Sequence, residues 1–332
     1  MPRKRYSLEG RTVFVTGAAR GIGADSARKL AARGANVALV GLEPAELQRE
    51  AAACGPRAIA LEADITDTAA LERAVAATRE RFGGIDVLIA NAGIAPIGTV
   101  RTIDPAVFER TIEVNLLGVW RTVRACLPDV IERRGHVLAI ASLAAIVPGP
   151  GMSAYCASKS GTEAFAKSLR IEVAHLGVSV GVGYFSWIDT DMVRSADSHP
   201  VGRFARAKLR GPFGRTYPLS VASDAVVRGV ERRSRRVVVP SWITGALVAR
   251  GLLEPISPLL ELGARPIVKR SEAMMAHEIE VRGAAAATAP VGPGGAAAIG
   301  VSASAASDAA EVPGDRAESA PAADGAPAEH VA

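Results

Sequence analysis

Short apolar runs rich in β-branched residues alternate with longer amphipathic runs along most of this chain, and this alternation restricts its fold more than any other feature. The strand-like runs are residues 11–16, 36–40, 57–62, 85–90, 136–141, 178–183 and 236–240. The runs that suit amphipathic helices include 67–82, 104–133, 153–176 and 220–232. Strands joined by helices form right-handed crossovers, which build a parallel sheet covered by helices on both faces. The pattern therefore predicts an α/β fold with a doubly wound parallel sheet.

A glycine-rich turn joins the first predicted strand to the first predicted helix. It reads Gly17-Ala18-Ala19-Arg20-Gly21-Ile22-Gly23, with an Ala-rich helical run after it. Glycines in such a turn let the backbone approach a pyrophosphate, which then meets the positive end of the helix dipole. The spacing differs from the commoner G-x-G-x-x-G, and a glycine cluster alone also occurs in ordinary strand–helix turns. The strands on either side favour a dinucleotide site.

A second group of polar residues suits proton transfer. Tyr155 and Lys159 are four residues apart on one face of a predicted helix, and Ser142 ends the preceding predicted strand. A free phenol has a pKa of about 10, so it transfers protons poorly at neutral pH. We expect the Lys159 charge to lower the pKa of Tyr155, and the Ser142 hydroxyl to hold a substrate oxygen beside the phenol. This combination suits the interconversion of an alcohol and a carbonyl.

Taken together, these motifs resemble those of the short-chain dehydrogenase/reductase family. The matching positions, between about residues 8 and 192, are Thr16–Gly23, Asp64, Asn91-Ala92-Gly93, Asn115, Ser142, Tyr155 and Lys159. The resemblance implies a single Rossmann domain, a nicotinamide cofactor and a catalytic group of Ser142, Tyr155, Lys159 and Asn115. The implied activity is hydride transfer between a carbonyl and a secondary alcohol, with Tyr155 as the general acid or base.

The resemblance also assigns residues to the cofactor. They are Gly17, Arg20, Gly21, Ile22 and Gly23 in the turn, Asp64 and Ile65 at the adenine, Asn91, Ala92 and Gly93 after the fourth strand, Tyr155, Lys159 at the ribose, and Ile188 and Thr190 at the nicotinamide carboxamide. Two alternatives stay open at this point. Asp64 could instead cap the helix at 67–82, although Thr66 or Asp67 could do so too. Asn115 could be a surface residue, whereas the family uses it to break a helix and to position a water linked to the lysine.

One segment departs from the family pattern. Where its members commonly carry Pro-Gly after the sixth strand, this chain has Phe185-Ser186. We therefore expect a different backbone path beside the nicotinamide, and added aromatic surface on the substrate side.

Cofactor preference depends on the end of the second strand. A carboxylate there would hydrogen-bond the ribose 2′-hydroxyl and repel a 2′-phosphate. Gly41 occupies this position, and Arg20 could reach a phosphate. The sequence therefore favours NADP(H), and Glu43, two residues further on, makes NAD the alternative.

Composition divides the chain into a domain and a tail. Residues 1–282 should form the dehydrogenase/reductase domain, with a substrate lid at 191–218 and a C-terminal extension at 241–275. Four lid residues indicate an apolar ligand: Met192, Phe204, Phe213 and Tyr217. Residues 283–332 are mostly Ala, Gly, Pro and Ser, with six acids, one arginine and no aromatic residue. This composition predicts a disordered acidic tail.

Charge and cysteine content argue against several functions. The chain carries a formal net charge of +5, but its arginines are scattered and 232–236 is the single dense run, so we expect no nucleic-acid partner. The three cysteines lack metal-ligand spacing, which predicts no metal site and a cytoplasmic location. Charges and prolines within 241–262 argue against a transmembrane segment.

These observations predict a cytoplasmic, homo-oligomeric enzyme that acts on a small, apolar carbonyl or alcohol. The alternative is a sensor or scaffold protein that binds the cofactor without turnover. Such a protein would not need a complete Ser-Tyr-Lys group, so the sequence favours the enzyme.

Overall fold

The computed structural model describes residues 5–299, except for the side chains at 252–254, 256, 257 and 260. Seven strands form one sheet: β1 (Thr12–Thr16), β2 (Asn36–Gly41), β3 (Ala58–Glu62), β4 (Val87–Ala90), β5 (His136–Ile140), β6 (Ser179–Phe185) and β7 (Arg236–Val239). Their order is β3-β2-β1-β4-β5-β6-β7, and every neighbouring pair is parallel. The predicted Rossmann-type doubly wound sheet is confirmed, and each predicted strand is present.

Helices cover both faces of the sheet. Those of the main domain are α1 (Gly21–Ala31), α2 (Pro44–Cys54), α3 (Thr68–Phe82), α4 (Pro105–Ile112), α5 (Gly118–Glu132), α6 (Ser153–Glu172), α7 (Asp191–Ser198), α8 (Pro200–Ala207) and α9 (Leu219–Glu231). One core cluster joins the sheet to α3, α5 and α6. A second cluster on the opposite face joins it to α1, α2 and α9. Side chains of the central strands are buried on both faces, as expected for a parallel sheet.

The predicted helical run at 104–133 consists of three parts. Between α4 and α5 the backbone forms a π-helical turn, Glu113–Leu117, with Asn115 at its centre. Such turns interrupt the regular hydrogen-bond ladder of a helix and are frequent at functional sites. The expected break of the helix at Asn115 is therefore present.

The C-terminal extension continues from β7 through α10 (Ile243–Val248) to α11 (Leu253–Arg282). Arg250 ties the extension to the main domain, since its guanidinium donates to Glu163 Oε2 on α6 at 2.8 Å and to the Ala145 carbonyl at 3.1 Å. Among the helices within residues 5–299, none is long and apolar enough to cross a membrane.

The segment after α11 corrects the predicted start of the tail. Residues 284–298, expected to be disordered, contain α12 (Ala284–Ala287) and α13 (Pro293–Ala298), and Ala287, Thr288 and Ala298 are buried. Small side chains bury little apolar area, but they let this backbone pack closely and hydrogen-bond to the domain. The rest of the predicted tail, 300–332, lies outside the described residues.

Candidate active site

The glycine turn between β1 and α1 forms a narrow cradle. Gly17 and Gly21 have φ angles of +63° and +57°, a region that favours glycine. A Cβ at Gly17 would lie 2.8 Å from Ala92 Cα, and one at Gly23 would collide with the Gly17 carbonyl oxygen. Side chains at these positions would therefore distort the turn. The start of α1 beside this turn has no side-chain cap, so its N–H groups suit a pyrophosphate.

Asn91 fixes this turn to the end of β4. Its side-chain amide donates to the carbonyls of Thr16 and Gly17 at 3.0 and 3.2 Å, and the N–H groups of Asn91 and Ala92 donate to Thr16 Oγ1. β1 and β4 are neighbours in the sheet, at the point where the strand order reverses, which is where such folds bind ligands. Asn91 thus holds the cleft in shape, in agreement with the structural role that the sequence predicts.

Ser142, Tyr155 and Lys159 meet beyond the ends of β5 and β6. Ser142 begins a short 3₁₀ turn, accepts from the Ala144 N–H at 3.2 Å and donates to the Phe185 carbonyl at 3.4 Å. The Tyr155 phenol lies close to this hydroxyl, which acts to lower the pKa of the phenol. Serine and phenol oxygens therefore face the same point in the cleft.

Lys159 lies under the tyrosine on the same face of α6. Its Nζ is 5.7 Å from the centre of the Tyr155 ring and donates to the Ile140 carbonyl at 3.0 Å. A Cβ at Gly93 would come within 3.1 Å of this nitrogen, so the missing side chain there gives the lysine its space. The three predicted residues are thus brought together beside the 91–93 loop.

Burial sets the protonation of both groups. It lowers the pKa of Lys159 from 10.5 to about 8. Burial also raises the pKa of Tyr155 above that of a free phenol, and the nearby Ser142 hydroxyl opposes this rise without reversing it. The sequence predicted the opposite direction for Tyr155, because it considered the lysine charge and not the loss of hydration.

Asn115 connects the catalytic helix to the loop after β4. It is buried, accepts from the Ile94 N–H, and donates to the Ile94 carbonyl, both at 2.8 Å, and to Ser158 Oγ at 3.0 Å. The hydroxyl of Thr162 on α6 donates to the Asn115 backbone carbonyl, which lies within the π-helical turn. The interpretation of Asn115 as a surface residue is therefore wrong. Ser158 and Thr162, which the sequence analysis did not single out, complete this connection.

Asp64 and Ile65 lie at the other end of the cleft. Asp64 accepts from the Thr66 N–H and from Arg110, both at 2.8 Å. Although burial alone would raise it, the pKa of Asp64 lies below its ordinary value because of these donors. The cap of α3 is Asp67, so the N-cap alternative for Asp64 is wrong. Ile65 is buried in an apolar cluster with Ile94 and Val114.

Arg110 is a residue of this site that the sequence analysis missed. It lies on α4, 46 positions from Asp64, and it is also bonded to Thr66 Oγ1 at 2.9 Å. No local pattern marks it, because an arginine on an amphipathic helix ordinarily faces solvent. Only the fold, in which α4 packs on α6 and carries Arg110 to the residues after β3, reveals its role.

Arg20 is engaged by two carboxylates. Its guanidinium forms an ion pair with Glu43 and donates to Asp191 Oδ2 at 3.1 Å. The bond to Glu43 raises the pKa of Arg20. Gly41 ends β2 behind this pair, and a Cβ there would make ordinary contact with Leu47, at 3.6 Å. The predicted cation is thus present at the cleft, but its charge is balanced.

The loop after β6 closes one side of the cavity. Ile188 is buried, and Thr190 caps α7 by accepting from the Val193 N–H. Ser186 stands where the family commonly has glycine. Among the described residues, its Oγ is a buried polar atom without a hydrogen-bond partner, and it lines the cleft. This oxygen is therefore free to bind a polar ligand group such as a carboxamide.

The cleft and the apolar space beyond Tyr155 together form one cavity of about 790 Å³. Its apolar lining beyond Tyr155 includes Val147, Met152, Phe185, Met192, Val193, Phe213, Ile267, Val268 and Met275. Two of the four expected lid residues, Met192 and Phe213, are among the lining residues. Phe204 and Tyr217, which the structure also describes, do not line the cavity. Tyr217 instead pairs with Ile188 in an isolated β-bridge.

Comparison with known proteins agrees with this geometry. A family model described as short chain dehydrogenase matches residues 11–200. The chain belongs to this family. Membership makes it an oxidoreductase of the dehydrogenase/reductase type that uses a nicotinamide cofactor, which confirms the activity predicted from the sequence.

The chain aligns with most of the length of several relatives. The 3-oxoacyl-[acyl-carrier-protein] reductase of Escherichia coli is 34% identical over 224 residues, which are 66% of this chain and 89% of that protein. An uncharacterized NAD-dependent oxidoreductase of Mycobacterium tuberculosis is 36% identical over 211 residues, 58% of this chain and 77% of that one. The crystal structure of a 3-ketoacyl-(acyl-carrier-protein) reductase from Brucella melitensis complexed with NADH matches with a TM-score of 0.62. It is 28% identical and covers 70% of this chain and 98% of that one.

Proposed function

We propose that this protein interconverts a carbonyl and a secondary alcohol on an apolar substrate, with Tyr155 as the proton-transfer group. The observation that carries the proposal is the meeting of Ser142, Tyr155 and Lys159 at the mouth of the apolar cavity, next to the glycine cradle. A nicotinamide dinucleotide bound along the cleft would supply or accept the hydride. The protein's own residues then hold the substrate oxygen and move its proton.

Tyr155 and Ser142 share the work at the substrate oxygen. Because the pKa of Tyr155 is raised, its phenol is protonated at neutral pH and can donate to a carbonyl oxygen. Ser142 and Tyr155 line the same part of the cleft, so a substrate oxygen seated between the two hydroxyls would be held in place. Lys159 would hold the ribose, and its charge would stabilise the phenolate after proton transfer.

Asn115 would support proton replacement at this pair. It links the loop after β4 to the catalytic helix through Ile94 and Ser158. Its carbonyl has a second lone pair beside the bond from Thr162, so it can also accept from a water near Lys159.

The cofactor would lie along the residues that the sequence assigned to it. The cradle of Gly17, Gly21 and Gly23 would hold the pyrophosphate, and the apolar cluster at Ile65 would receive the adenine beside Asp64. The 91–93 loop would flank it, with Ile188, Thr190 and the free Ser186 hydroxyl at the carboxamide.

NAD and NADP differ at the ribose 2′-position, and of the two cofactors we favour NADP(H). Gly41 leaves the end of β2 without a carboxylate, and Arg20 is a cation at the cleft. One observation favours NAD instead, namely that Glu43 and Asp191 already balance the charge of Arg20. Comparing kcat/KM for the two cofactors in the wild type and in Glu43→Gln decides between them, since freeing Arg20 should raise the preference for NADP(H).

Three broader expectations belong to the same proposal. The cavity lining favours an apolar substrate over a sugar or a charged acid, because the apolar side chains beyond Tyr155 offer few hydrogen-bond partners. We also propose a homo-oligomer and a cytoplasmic location. Sedimentation analysis and fractionation of cells would test these two.

The direct test is consumption of NADPH and NADH with a panel of apolar ketones and aldehydes. Turnover that disappears in Tyr155→Phe supports the proposal. Cofactor binding without turnover of any carbonyl or alcohol in the panel would favour the sensor or scaffold alternative.

A further inference from the structure

The segment that follows α12 runs along the cofactor cleft. We call residues 288–298 the C-terminal strap. At its start, Thr288 is buried and its Oγ1 accepts from the Asp104 N–H at 3.1 Å. The N–H of Val291 then donates to the Ala95 carbonyl at 3.0 Å, in the loop that follows Asn91-Ala92-Gly93. The strap is thus fixed to both sides of the loop that flanks the cofactor site.

The middle of the strap passes the residues proposed to select the cofactor. Gly292 has a φ of +86°, and a Cβ there would lie 3.3 Å from the Met192 N and Cα atoms at the start of α7. A Cβ at Gly294 would lie 3.9 Å from Arg20 Cδ and 4.0 Å from Glu43 Oε2. The positive φ and tight contacts at Gly292 favour glycine there, whereas Gly294 brings the strap backbone within ordinary contact distance of Arg20 and Glu43.

The end of the strap lies at the proposed adenine position. Ala298 is 7% exposed and belongs to the same apolar cluster as Ile65 and Val114. Its carbonyl accepts from Arg110 Nε at 2.9 Å. The same guanidinium is bonded to Asp64, so one arginine joins the strap to the residue that would contact the adenine.

From this path we infer that the C-terminal strap is a built-in competitor of the cofactor. It takes the apolar surface at Ile65 and the space beside Arg20, both of which the proposed function assigns to the dinucleotide. Because Ala298 packs on Ile65, the end of the strap and the adenine ring cannot both occupy that apolar surface. The cofactor therefore binds fully only to molecules in which the Ala298 end of the strap has left Ile65. This inference rests on the proposed cofactor site.

The size of the effect follows from the fraction of open molecules. When a binding-competent form is populated at about 1–10%, the apparent Kd rises about 10- to 100-fold above that of the open form. Removing the strap should therefore tighten cofactor binding about tenfold or more. If the strap instead covered a bound cofactor, removal of the strap would weaken cofactor binding.

The experiment measures the Kd of NADPH and NADH by fluorescence titration, which needs no substrate. Two variants open the cleft. Deletion of residues 291–332 removes the part of the strap that lies along it. Ala298→Glu instead places a charge in the apolar cluster at Ile65 and keeps the full chain. Amide hydrogen exchange of residues 63–66 and 92–95 gives a second readout, and exchange should rise in both variants.

Two matched controls leave the strap in place. Deletion of residues 300–332 shortens the chain beyond it, and Ala286→Glu adds the same charge at an exposed alanine of α12. Tighter binding in both opening variants, with both controls like the wild type, supports the inference. Equal or weaker binding in the opening variants overturns it while the proposed function stands. Absence of cofactor binding in every variant overturns both.

Discussion

Lys159 should cost the protein stability, so replacing it with methionine should stabilise the fold while removing activity. The side chain is 3% exposed, and its burial lowers the pKa from 10.5 to about 8. A lowered pKa of a cation means that the folded state disfavours the charged form. At neutral pH Lys159 is therefore charged in the folded chain, although its charged form is more stable in the unfolded chain.

The two pKa values give the magnitude. At about 1.4 kcal/mol per pH unit, the gap between them corresponds to about 3 kcal/mol. Lys159→Met also loses the hydrogen bond to the Ile140 carbonyl, which offsets about 1 kcal/mol. We therefore expect the free energy of unfolding at pH 7 to rise by about 2 kcal/mol.

The pH dependence separates this cause from simple repacking. Between pH 8 and 10.5 the unfolded lysine binds more protons than the folded one, so the wild type gains stability as the pH rises through this window. The gain in free energy of unfolding from Lys159→Met should be largest below pH 8 and should shrink towards pH 10.5.

Urea denaturation of both proteins at several pH values, with the exposed Lys269→Met as control, measures this difference. A variant no more stable than the wild type at pH 7 would refute the argument. So would an advantage that does not change with pH.

Three further predictions concern the site. Tyr155→Phe should lower kcat by about 100-fold or more, since it removes only the proton-transfer hydroxyl, while the cofactor Kd from titration stays within about twofold; near-normal turnover would contradict the assignment. Asn115→Ala leaves the buried N–H and C=O of Ile94 without partners and should lower the free energy of unfolding by about 2–4 kcal/mol in urea. A loss well below 1 kcal/mol would show that water replaces the side chain. Gly41→Asp should shift the kcat/KM ratio from NADP(H) towards NAD about 10- to 100-fold, by adding a carboxylate against the 2′-phosphate. An unchanged ratio would assign selection to Arg20 and Glu43.

The sheet and the cradle were predictable because their signals are local. Each strand is a short apolar run. The backbone of the turn at Gly17 has a positive φ that favours glycine, and the sequence shows this glycine directly. Parallel pairing then brings the strand ends to one edge, which places Asn91 and Ser142 near the turn without further information.

What the sequence did not reveal depends on contacts between distant segments or on loss of hydration. Arg110 meets Asp64 only after α4 packs near β3, and the direction of the Tyr155 pKa depends on how deeply the phenol lies. The strap was missed because composition measures how much apolar area a segment can bury. It does not measure whether small residues fit a narrow cleft lined with backbone hydrogen-bond partners.

The strap is covalently part of the chain, and this has a consequence for measuring cofactor preference. A tethered competitor acts at a fixed local concentration, so diluting the enzyme does not relieve it. It multiplies the apparent Kd of NADPH and of NADH by one shared factor, because both bind the same open molecules. That factor cancels in their ratio. A change of the ratio in Gly41→Asp or Glu43→Gln therefore reports on the 2′-position alone, even where the substitution also loosens the strap beside Arg20.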